Sequence, residues 1–121
     1  MERLLALRHP PTAVCCYNDM SALGAMRTIR SHGLRVGEDV SVTGFDDLFF
    51  AEFTDPPLTT VRQPMRRMGR LAMESLLKLM AGDRSVPQVR VAAELVRRAS
   101  TAKVKARRGV EQRRGAGNRR G

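Results

Sequence analysis

The chain has 121 residues, 42% of them hydrophobic and only 4% aromatic, which leaves room for one domain at most and excludes a multidomain assembly. Its formal net charge of +10 is unevenly spread. Residues 101–121 hold eight Lys or Arg against one Glu, while residues 1–100 carry 14 basic and 11 acidic side chains, so the high pI belongs largely to a tail. No apolar run reaches 18 residues, so no transmembrane helix is expected. The run LLAL near Met1 is too short for a secretory signal, which makes the cytoplasm the expected location.

In chain order, residues 2–8 read as the last turns of a helix, ended by Pro10 and Pro11. TAVCCY, residues 12–17, reads as a strand without polar alternation, as in a parallel strand covered on both faces. Cys15 and Cys16 within it are expected to be free thiols facing apart. Asn18 and Asp19 form an N-cap signal for a helix over 20–32, with Ala22, Leu23, Met26 and Ile29 as its apolar stripe. Gly33 stands where a left-handed cap belongs, with Leu34 as its hydrophobic partner.

A turn at 37–39 leads to a second strand, residues 40–45, which runs out into Asp46 and Asp47. The loop LFFAEFTDPP follows, then a β-branched third strand over 58–61. Pro64 opens a long helix ending near Ala81, with Gly82 as its stop. Met65, Met68, Gly69, Ala72, Leu76, Leu79 and Met80 recur at helical spacing along it. Residues 88–96 read as a final strand pair or one long strand. Beyond Thr101 the charge is too high for a packed core, so 102–121 is expected to be a disordered basic tail. The order β-α-β-loop-β-α-β is that of an α/β layered domain.

In an open parallel sheet, ligands bind beyond the carboxyl ends of the strands. Three such ends here carry polar groups: Tyr17, Asn18 and Asp19, then Asp46 and Asp47, then Arg62 and Gln63. Amides and a carboxylate at one mouth suit a polyhydroxylated ligand such as a sugar or nucleoside, with Asp46 holding hydroxyls. Each group has a plainer reading as well. Asn18 and Asp19 serve equally as a helix cap, either aspartate as a turn cap, Gln63 as a cap for the long helix, and Met65 and Met68 as core. Of the two aspartates, Asp47 is the expected structural member, because successive residues diverge in direction. An acid/base or Mg²⁺ role for Asp46 and Asp47 lacks an accompanying nucleophile–His arrangement, and both phosphate-loop patterns are absent. No enzyme activity, metal or cofactor is therefore expected. The paired arginines of the tail have the charge for non-specific nucleic-acid contact but no aromatics for base stacking.

PTAVCCYNDMSALGAMRTIRSHGLRVGEDVSVTGFDD, PPLTTVRQPMRRMGRLAMESLL and ELVRRAST, in this order, closely resemble the C-terminal part of the LacI/GalR family of bacterial transcriptional regulators. The match runs from about Pro11 to Thr101. The resemblance implies part of a type I periplasmic-binding-protein-like domain over residues 1–101, with a mostly parallel sheet and flanking helices. It implies an effector, a sugar or nucleoside-like molecule, held directly by Asn18 and Asp46, with Gln63, Met65 and Met68 at or near the same cleft. It also implies a homodimer in the intact protein, with Leu23 and Thr54 at the dimer interface, and operator DNA bound only through an N-terminal helix-turn-helix domain that this chain lacks. A fragment of a periplasmic-type sugar-binding protein is the alternative. Gly37 stands where the family usually has proline, a departure expected to loosen a turn.

Overall fold

The computed structural model describes residues 1–103. Its elements are α1 (Glu2–Leu5), β1 (Ala13–Cys15), α2 (Asp19–Ser31), β2 (Ser41–Thr43), a 3-10 turn (Phe49–Glu52), β3 (Thr60–Arg62), α3 (Met65–Met80) and β4 (Glu94–Val96). The expected basic tail lies outside the described residues but for Ala102 and Lys103.

β1 pairs with β2 in parallel, placing Val14 beside Val42. Two parallel bridges, Thr43 to Thr59 and Asp46 to Arg62, carry the ladder from β2 to β3. β4 then pairs with β3 antiparallel, Leu95 opposite Val61. The four strands thus lie in chain order, and the ends of β1, β2 and β3 fall on the same side.

α2 covers the β1–β2 pair. Its buried residues Ala22, Met26 and Ile29 pack with Val36, Val40, Val42, Ala51 and Leu58 as the core, and Val14, Cys16 and Leu34 lean against it from the edge. Full burial of a Leu or Ile side chain is worth roughly 1.5–3 kcal/mol, so this small cluster is what holds the strand ends in place. Both helix stops work as the glycines predict. Gly33 has φ 70 and Gly82 φ 90. The pairs Leu34 N to Ile29 O, 3.2 Å, with Gly33 N to Arg30 O, 2.8 Å, and Asp83 N to Lys78 O with Gly82 N to Leu79 O, close two Schellman motifs.

Four sequence expectations change. β1 is not covered on both faces: Ala13 and Cys15 are exposed, because the strand is an edge whose apolar residues have no layer on one side. Residues 83–93 form no strand, so the final strand is Glu94–Val96 alone. Pro64 occupies the N-cap of α3 rather than its first turn. Gly37 does not loosen its turn. It has φ 86, its N–H donates to Val40 O at 2.8 Å, and a Cβ there would meet Ala99 O at 2.6 Å.

Candidate functional site

The end of β1 leads straight into α2. Asn18 is the N-cap, its Oδ1 accepting from Ser21 N at 2.9 Å while Ser21 Oγ accepts from Asn18 N at 3.1 Å, a reciprocal capping box. The cap uses only the amide oxygen. The amide NH2 has no protein partner among the described residues, so the cap reading and the ligand reading are compatible.

Asp19, the next residue, is fully buried. Its carboxylate accepts from Thr60 Oγ1 at 2.5 Å and from Leu48 N at 2.7 Å, and its own N–H donates to Phe45 O at 2.9 Å. One side chain at the helix start therefore ties the loop after β2 to the start of β3. Gly44 packs against it, where any Cβ would collide with the Asp19 carboxylate.

Beyond Phe45 the backbone turns through two left-handed residues, Asp46 at φ 105 and Asp47 at φ 53. These are the two non-glycine positive-φ residues among those described, and such conformations persist only where surrounding structure enforces them. The two carboxylates diverge, as expected. Asp46 Oδ1 accepts from Gln63 Nε2 at 2.6 Å. Asp47 turns the other way and accepts from Arg62 Nε at 2.6 Å and from an Arg98 Nη at 2.8 Å. Burial works to raise the Asp47 carboxyl, but the hydrogen bonds and charges of Arg98 and Arg62 outweigh it and hold the group below the usual carboxylate range.

Tyr17, Asn18, Phe45, Asp46 and Gln63 line one cavity of about 330 Å³. The three expected polar groups thus converge, and Tyr17 and Phe45 join them as exposed aromatics. Met65 and Met68 do not line this cavity. Met65 is exposed at the start of α3, and Met68 lines a second cavity with Leu71, Ala72, Ser75, Pro87, Val89 and Val91. Arg62 is drawn away from the mouth by Asp47 and Glu94. Among the described residues no group of His, Cys, Asp and Glu could hold a metal ion.

The family model described as a periplasmic binding protein-like domain matches residues 1–101. The probable HTH-type transcriptional repressor ExuR of Bacillus subtilis is 51% identical over 81 residues, 67% of this chain and 24% of that protein. The lac repressor dimer bound to operator and the anti-inducer ONPF superposes with a TM-score of 0.70 at 43% identity, covering 75% of this chain and 32% of that one. The chain belongs to the LacI family of transcriptional regulators. A LacI-family regulator from Enterococcus faecium with bound ribose also superposes, at a TM-score of 0.75 and 30% identity over 86% of this chain and 38% of that one. This LacI-family chain thus spans about a quarter of the length of the curated relatives it matches.

Two further features of this LacI-family chain stand out. Leu23 and Thr54 come together on a groove of about 850 Å³ between α2 and the 3-10 turn, with Met20, Arg27, Phe50 and Phe53 beside them. Phe53 is largely exposed there. Sequence reasoning placed Tyr17 and Asp19 at a strand end but missed Arg98 as a contributor to the site and missed the buried tie that Asp19 makes. For Asp19 a signal existed: an aspartate after an Asn cap is redundant for capping, and Gly44 and Thr60 supply the space and the donor it needs. No helix among the described residues is long and apolar enough to cross a membrane.

Proposed function

We propose that this chain is the effector-sensing and dimerising segment of a LacI-type regulator, with Asn18, Asp46 and Gln63 contacting a small hydroxyl-bearing effector. One observation carries this reading. Asn18, Asp46 and Gln63 line one cavity, and their side-chain hydrogen bonds to one another and to the helix cap use Asn18 Oδ1, Asp46 Oδ1 and Gln63 Nε2, which leaves the Asn18 amide NH2, Asp46 Oδ2 and Gln63 Oε1 for a ligand. A donor beside two acceptors matches a sugar or nucleoside whose adjacent hydroxyls each donate and accept. The cavity lies within the usual range for small ligands, about 300–1,000 Å³, and Tyr17 and Phe45 offer apolar faces for a ring. Met65 belongs to the rim in this reading, two residues beyond Gln63. Met68 faces a separate cavity and is not part of the contact set.

The groove at Leu23 and Thr54 is assigned to a second copy of the chain. Its exposed Phe53, beside Leu23 and Met20, is the kind of surface that a dimer would cover. In the intact regulator, operator DNA is bound by a separate N-terminal domain, in the cytoplasm. The effector then acts by linkage: it shifts DNA affinity only as far as it distinguishes the two conformations. The repressors at about 50% identity favour this reading over an exported sugar-binding protein.

The test is an NMR titration of the full chain with pentoses, hexoses and nucleosides at millimolar concentration. The expected result is a dose-dependent shift of the Asn18 and Gln63 side-chain amides and of the Asp46 backbone amide, lost in Asp46→Ala. Titrations that leave all three signals in place across the panel would overturn the assignment.

A further inference from the structure

The hydrogen bonds of Asp47 reach further than its place in a turn requires. Its side chain is 8% exposed, and that of Arg98 is 15% exposed. Arg98 spans two elements: one guanidinium nitrogen donates to Asp47 Oδ1 at 2.8 Å and the other to Leu58 O at 2.8 Å. Its backbone N–H donates to Thr59 Oγ1 at 2.9 Å. The segment carrying it is fastened to the sheet on either side. Ser100 Oγ donates to Val42 O at 2.7 Å and accepts from Thr59 N at 2.8 Å, and Ser100 O accepts from Val42 N at 2.8 Å. Ser100 is fully buried. The arginine therefore starts from a fixed backbone and projects a rigid planar fork, a geometry that a flexible ammonium does not reproduce.

At the other end of this chain of contacts, Asp46 holds φ 105. An aspartate left to itself does not favour that conformation. Its N–H is fixed to Val61 O at 2.9 Å, but the turn that follows depends on where Asp47 is pulled. We propose that Arg98, acting through Asp47, is a positioning residue for the ligand site: it holds the 46–47 turn left-handed and so aims the Asp46 carboxylate at the cavity. Arg62 is the weaker partner of the same carboxylate. Its side chain is 51% exposed and is shared with Glu94 at 3.6 Å. The proposal rests on the reading of Asp46 as a ligand group, but its geometric half stands without a ligand.

The experiment compares the full chain with Arg98→Ala, Arg98→Lys, Arg62→Ala and Asp47→Asn. Three quantities are read: the amide-to-Hα coupling and carbon shifts that report the backbone angle of residue 46, the melting temperature, and D-ribose affinity by NMR titration. Asp47→Asn keeps shape and tolerance for the left-handed region, so it serves if Arg98→Ala does not fold. Arg98→Ala and Asp47→Asn are expected to shift residue 46 out of its left-handed signature, and Arg98→Ala to weaken ribose at least tenfold. Arg62→Ala is expected to change both little. Arg98→Lys is expected to recover most of the melting temperature but not the residue 46 signature, a split that a purely structural role would not produce. An unchanged residue 46 signature in both Arg98→Ala and Asp47→Asn, or in Asp47→Asn alone if Arg98→Ala does not fold, would overturn the proposal. Absence of ribose and other sugar or nucleoside binding in the unaltered chain would instead count against the effector reading, and the backbone signature would still decide this one.

Discussion

The link between Asp19 and Thr60 can be given a number. Replacing Asp19 by Ala strands the fully buried Thr60 hydroxyl and leaves the half-buried Leu48 N–H without its partner; the two now sit 2.5 and 2.7 Å from the carboxylate. At about 1–3 kcal/mol for the buried Thr60 hydroxyl, with a smaller share from the half-buried Leu48 N–H, the single variant should lose about 1–4 kcal/mol, a large share of the 5–15 kcal/mol typical of a whole domain. Thr60→Val removes the hydroxyl at similar volume and should cost less, because Asp19 keeps Leu48. A double-mutant cycle with Asp19→Ala, Thr60→Val and both together isolates the pair. A hydrogen bond to a charged group predicts a coupling of about 1.5–3 kcal/mol. The assay is urea denaturation of the full chain followed by the backbone amide NMR signals of β2 and α2, which report the core rather than α3, with the urea slopes compared to confirm a common transition. A coupling below about 0.5 kcal/mol, the range of independent sites, would refute the view that Asp19 ties the loop after β2 to β3. The Arg30–Asp55 pair at 3.0 Å is the control. Both of its side chains are substantially exposed, and its coupling should fall in the ~0–1 kcal/mol range of surface ion pairs.

Gly37→Pro, which installs the residue usual in the family, should destabilise this chain by more than about 1 kcal/mol by thermal melting, because proline cannot adopt φ 86 and removes the donor to Val40 O. The depressed Asp47 carboxyl should contribute stability that is fully present above the ordinary carboxylate pKa and lost as pH falls through its lower folded value. The stability gap between the unaltered chain and Asp47→Asn should accordingly shrink on acidification below about pH 4, as followed by urea titrations from pH 7 to pH 2. Leu23→Asp, on the groove shared with Thr54, should shift sedimentation toward monomer while leaving the melting curve nearly unchanged at low concentration. A monomeric unaltered chain at high concentration would refute the assignment of that groove to a second copy.

The parts of this molecule that were legible in its sequence are those specified locally. A glycine after a helical stripe means a Schellman stop at 33, where apolar Leu34 follows, and again at 82, because both the signal and the structure span about six residues. The convergence of Asn18, Asp46 and Gln63 was legible because parallel strands put their ends on one side. What failed was long-range. The apolar run of β1 announces coverage on both faces, yet nothing local says which layer provides it, and Ala13 and Cys15 are exposed. Met65 and Met68 share one helical stripe with Ala72, Leu76 and Leu79, so spacing alone could not assign them to a cavity. Arg98 joins Asp47 across 51 residues of chain, and no local pattern pairs one arginine in a run of two with one aspartate in a run of two.

α3 carries a pronounced apolar stripe over 16 residues, yet none of its residues is buried. Isolated helices of about this length are marginal in water, and most helices owe their persistence to tertiary packing. In this chain the helix therefore draws little support from the α2–sheet core, and its amides should exchange with solvent long before those of β2. Heating would then melt the molecule in two waves: the helix first, as a broad pretransition in the far-UV signal, and the Asp19-centred cluster afterwards as the sharper event. The polar mouth at Asn18 and Asp46 would outlast the helix that begins just beside it.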